Sequence, residues 1–127
     1  MSNRAVRFVG CLSALTALAA TGSAIAQAVP HSLVASPDIY KVIAESDQYR
    51  VIEVTWAAGQ RDQLHSHPAN AVYYPMDCNL RGYGRSGAAY GEALTTAGTA
   101  KVQKPIAAHS VENIGQSACK LIMFEPK

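Results

Sequence analysis

From Tyr40 onward the apolar positions repeat every two residues rather than every 3.6. Across Tyr49–Trp56, the residues Tyr49, Val51, Glu53 and Thr55 fall on one face and Arg50, Ile52, Val54 and Trp56 on the other. That alternation is the mark of a half-buried strand. Residues 41–45 are rich in β-branched side chains and predict a strand before it, with Ser46-Asp47 as the hairpin turn. Ala57-Ala58-Gly59 ends the second strand. Further strands are predicted over 71–74, 78–83, 88–96, 99–103, 109–113 and 118–124, with turns at 84–87, Gly98, 105–108 and 115–117. No part of this region sustains a helical period. About eight short strands at such regular spacing predict an all-β sandwich or barrel.

The beginning of the chain reads differently. Arg4 and Arg7 precede an apolar run over 8–20, and Ala24-Ile25-Ala26 is a small-x-small cleavage pattern. This is the plan of a secretory signal peptide over 1–26, and it predicts a periplasmic or secreted mature protein with no membrane attachment after cleavage. Residues 27–37, with two prolines and two serines, read as a linker in which His31 is solvated, ahead of a domain over 38–127.

Cleavage changes the charge balance. Of eleven basic residues, Arg4 and Arg7 leave with the signal, so nine remain against nine acidic ones. A neutral chain without a Lys/Arg run gives no footing for nucleic acid. Cys11 also leaves, and Cys78 and Cys119 remain. In an oxidising compartment they form either a disulfide, worth roughly 3–4 kcal/mol for the loop it closes, or two separate small buried side chains on different strands.

The stretch with chemistry in it runs from Gly59 to Pro68 and contains His65-Ser66-His67. Two histidines one residue apart on a strand face the same way, so their rings can converge on one ion. By the same alternation Asp62 faces away from His65, while Arg61 and Gln63 share its side and rim the cavity. Tyr73 and Tyr74 fall on opposite faces, and Tyr73 is the one assigned to the pocket.

An all-β chain with these histidines, and another at His109, resembles the cupin superfamily. Gly59, five residues, then His65-Ser66-His67 match the first cupin motif; Gly98, Pro105, His109 and Asn113 match the second. Two departures stand out. The glutamate expected four or five residues after His67 is replaced by Ala71 and Val72, and the usual proline-x-glycine is Pro105-Ile106-Ala107. The resemblance implies a double-stranded β-helix, or jelly roll, in which His65, His67 and His109 hold one divalent transition metal (Fe, Zn, Mn, Ni or Cu). Gln63 and Tyr73 are read by parity as pocket residues, Asn113 as a group that holds a turn or fixes a histidine tautomer, and the resemblance implies a homodimer. The function implied is a metal-dependent dioxygenase or isomerase acting on a small chelating molecule. The alternative is a ligand-binding or structural cupin without metal.

Overall fold

The alternation along Tyr49–Trp56 is realised as a strand whose Ile52, Val54 and Trp56 are buried while Tyr49 is exposed. The computed structural model describes residues 27–127, and the expected signal peptide lies outside them. Within the described residues there are nine strands: β1 (Tyr40–Glu45), β2 (Tyr49–Trp56), β3 (His65–His67), β4 (Asn70–Tyr74), β5 (Cys78–Tyr83), β6 (Ala89–Thr95), β7 (Thr99–Gln103), β8 (Ile106–Asn113) and β9 (Cys119–Pro126). They form two antiparallel sheets, ordered β1-β2-β9-β4-β7 and β3-β8-β5-β6. The inward-facing residues of both sheets make one core, with Ile52, Val54, Trp56, Val72, Leu121 and Met123 among its members. This is the predicted jelly roll. Gly59 and Gly98 turn the chain with φ of 73° and 83°, in the left-handed region that a glycine enters without strain.

Two local features depart from the sequence reading, and one alternative it left open is decided. Residues 27–37, expected as a linker, are held against the barrel. Ser32–Ala35 form a short helix, α1, capped by His31, and Ser66 donates through its backbone N–H to the Pro30 carbonyl at 2.9 Å. The last strand runs on to Pro126 instead of stopping at Phe124. Finally, the open question about the cysteines resolves as a disulfide. Cys78 on β5 and Cys119 on β9, with Cα atoms 5.1 Å apart, join one sheet to the other.

Candidate metal centre

Pairing of β3 with β8 sets His65 opposite His109, and the two-residue period returns His67 to the same face. All three histidines are buried. The ring centroids of His65 lie 4.6 Å from His67 and 4.5 Å from His109, and those of His67 and His109 lie 5.4 Å apart. One ring nitrogen from each falls within 4.8 Å of the other two. The three residues marked by the two motifs are thus brought together inside the barrel.

Hydrogen bonds decide which nitrogen each ring can offer. His65 Nδ1 lies 2.7 Å from the Gln63 carbonyl, which can only accept, so Nδ1 carries the proton. Burial pushes the His65 pKa down to about 4, against the opposing pull of that hydrogen bond, so the ring is neutral at pH 7 and Nε2 holds a lone pair. The Tyr40 hydroxyl lies 3.2 Å from this Nε2 but donates to Asp62 Oδ2 at 2.8 Å. His109 Nδ1 meets the Tyr90 hydroxyl at 3.2 Å, and its Nε2 is buried without any partner. Burial, then the charges of His65 and His67, hold His109 at about 3. Three converging imidazoles, one of them with an unpartnered inward nitrogen, are the donor set a divalent transition metal takes.

Two carboxylates border the cluster, and neither stands where the motif would put one. Asp62, expected on the opposite face, is buried, with Oδ1 3.6 Å from His65 Nδ1. The expectation failed because 59–67 is not one regular strand. Four residues lead from Arg61 to His65 but only three from Glu112 back to His109, so this stretch holds an extra residue and parity does not carry from residue 65 back to 62. Asp62 accepts from Tyr40, from Trp56 Nε1 at 3.1 Å and from the Val111 N–H at 2.6 Å. Burial raises its pKa to about 6 against those three bonds.

The other carboxylate is Glu125 on β9, fully buried, with Oε1 2.6 Å from His67 Nδ1 and Oε2 2.8 Å from His31 Nε2. Burial pushes its pKa up, but the bonds and charges of His67 and His31 outweigh it and leave the carboxyl below its usual value. His31 is therefore not a solvated linker residue. Glu125 was findable: Cys119, Leu121, Met123 and Glu125 continue one inward parity.

The remaining site expectations fare unevenly. Tyr73 is exposed, and it is Tyr74 that faces the core. Gln63 serves the site through its carbonyl; its side chain is exposed and, with Arg61, Arg85 and Ser110, borders a separate cleft of about 340 Å³ that none of the three histidines lines. Asn113 touches no histidine. Its amide donates to the Trp56, Ala57 and Ser117 carbonyls and its Oδ1 accepts from the Gly115 N–H, which fixes the turn after β8.

No family model matches the sequence, and no curated protein does. Solved structures match it closely in shape. A cupin domain from Bordetella pertussis Tohama I superposes with a TM-score of 0.63 at 18% identity, over 78% of this chain and 96% of that one. The chain has the cupin fold. A conserved protein of Klebsiella pneumoniae with a double-stranded β-helix domain gives 0.54 at 19% identity, covering 69% of this chain and 75% of its own. A cupin superfamily protein of Desulfitobacterium hafniense gives 0.51 at 8%, with the same coverage.

In this barrel the way to the histidines is narrow. A space of about 50 Å³ touches His67 and His109, and a cavity of about 270 Å³, bordered by Tyr90, Lys101 and Gln103, also touches His109. The two share Tyr74, Leu80, Gln103, His109 and Val111, so they adjoin. At the mouth the Tyr90 ring lies directly over Gly82, where a Cβ would collide with it.

Proposed function

We propose that this cupin binds one divalent transition metal (Fe, Zn, Mn, Ni or Cu) through His65, His67 and His109. A small chelating molecule reaches the ion past Tyr90, and dioxygenase or isomerase chemistry on that molecule is the reaction. The carrying observation is the buried convergence of three imidazoles in which His65 turns Nε2 inward and His109 Nε2 has no partner. Such an ion supplies Lewis-acid or oxygen chemistry at the positions the protein leaves open. The chain's own part is to keep His65 and His109 neutral by burial, orient His65 through the Gln63 carbonyl, and admit only small molecules through the His109 cavity. A periplasmic or secreted setting accords with the leader pattern over 1–26 and with the Cys78–Cys119 bridge.

The test is metal analysis of the mature protein purified without a chelating tag. Close to one transition metal per chain is expected, with His65→Ala and His109→Ala reducing it to background. A wild-type chain that neither carries nor takes up metal on titration defeats the proposal and leaves a metal-free ligand-binding module. Metal-loaded protein that consumes no oxygen and converts no small oxoacid, thiol or diketone would retain the site and discard the enzyme.

A further inference from the structure

The first cupin motif lacks its carboxylate at Ala71 and Val72, yet a fully buried carboxylate, Glu125, stands 2.6 Å behind His67. We propose that Glu125 and His31 are positioning residues of the metal centre, forming a hydrogen-bond chain whose direction leaves the His67 Nε2 lone pair facing the ion. The metal in this statement rests on the function proposed above; the chain itself rests on geometry alone.

The direction is fixed by a backbone amide. The Leu33 N–H can only donate, and it donates to His31 Nδ1 at 3.2 Å. His31 Nδ1 is then a lone pair, so its proton sits on Nε2 and goes to Glu125 Oε2 at 2.8 Å. The carboxylate offers one oxygen to each ring, and Oε1 accepts the second proton donor, His67 Nδ1. An imidazole with its proton on Nδ1 has its lone pair on Nε2, which in His67 lies 2.9 Å from His65 Nε2. That nitrogen of His65 is itself a lone pair, held so by the Gln63 carbonyl. Two lone pairs facing across 2.9 Å repel unless a cation joins them. A histidine ligand whose other nitrogen is tied to a carboxylate is also a more basic, better-oriented ligand. His31 and Leu33 belong to the segment ahead of β1, so this segment is part of the centre rather than a tether to it.

The substitution Glu125→Gln separates this account from a merely structural one. A glutamine offers one acceptor oxygen where two donors need one each. His31 cannot reverse, because Leu33 requires its Nδ1 as acceptor. The glutamine oxygen therefore faces His31 and its amide faces His67, which must move its proton to Nε2 and point it at the metal position. Metal affinity is expected to fall about 10–100-fold. In metal-free protein, nitrogen-15 NMR is expected to show His67 protonated on Nδ1 in the wild type and on Nε2 in Glu125→Gln. Adding His31→Ala to Glu125→Gln frees the glutamine to turn its oxygen to His67, so the double variant is expected to recover the Nδ1–H form and much of the affinity.

A His67 proton that stays on Nδ1 in Glu125→Gln overturns the inference. So does a double variant no better than the single one. If the wild type holds no metal, the function above fails while the NMR comparison still decides the hydrogen-bond chain. Two ions per chain, one of them lost in His31→Ala, would also overturn it, because His31, His67 and Glu125 would then be ligands of a second ion.

Discussion

Asp62 shows how one side chain can organise the floor of the site without serving as a ligand. Its two oxygens take protons from Tyr40, Trp56 and the Val111 backbone, joining β1, β2 and β8 around a single buried charge. Replacing it with alanine does not orphan all three donors equally. The Tyr40 hydroxyl can turn to His65 Nε2, already 3.2 Å away, but the Trp56 and Val111 N–H groups have no such neighbour. Two buried unsatisfied donors at about 1–3 kcal/mol each put the loss for Asp62→Ala at about 2–6 kcal/mol. Urea denaturation of metal-free protein measures it. A loss under about 1 kcal/mol would show that water replaces the carboxylate, contrary to its anchoring role. Asp62→Asn, which keeps one oxygen, is expected to fall between the two.

At the level of strands, alternation carried most of the reading wherever a strand is regular, and failed where one bends or ends. The β2 faces came out as read, and so did the meeting of His65, His67 and His109. Asp62 was misplaced because the register breaks ahead of β3, and Glu125 was overlooked because β9 was ended two residues early, after its last aromatic. Both errors concern charged residues turned inward, which propensity places in turns or on surfaces and only tertiary pairing can bury. The choice of Tyr73 over Tyr74 was a matter of register, which alternation alone leaves open. Spacing was also silent on Cys78 and Cys119, since the bridge depends on how the two sheets stack. It closes a loop of 41 residues between β5 and β9, for which the chain-entropy relation gives about 4 kcal/mol. Cys78→Ala/Cys119→Ala is expected to lower unfolding free energy by roughly that amount under non-reducing conditions. If reductant then destabilises the double variant as much as the wild type, the bridge is not the cause.

The whole molecule places its titrating groups between two sheets, and that position makes its stability respond to acid in a predictable direction. His65 and His109 are buried neutral, with pKa values brought from 6.5 down to about 4 and about 3. Between roughly pH 6.5 and 4 the unfolded chain binds protons at both histidines and the folded chain does not, so acidification favours unfolding. Asp62 works the other way. Its pKa is raised from 3.8 to about 6, so in the same range the folded chain holds a proton that the unfolded one releases, and acidification favours folding. Two groups against one leave a net of one proton, which is about 1.4 kcal/mol lost per pH unit from about pH 6 to 4. Denaturant unfolding of metal-free protein at pH 7, 6 and 5 should show stability falling by about 1 kcal/mol over the first step and about 1.4 kcal/mol over the second. His109→Gln removes one of the two destabilising groups, so histidine and carboxylate then cancel and the acid slope should be close to zero. A slope unchanged in that variant would mean that the protons are taken up elsewhere and that the buried histidines are not what makes the barrel acid-sensitive.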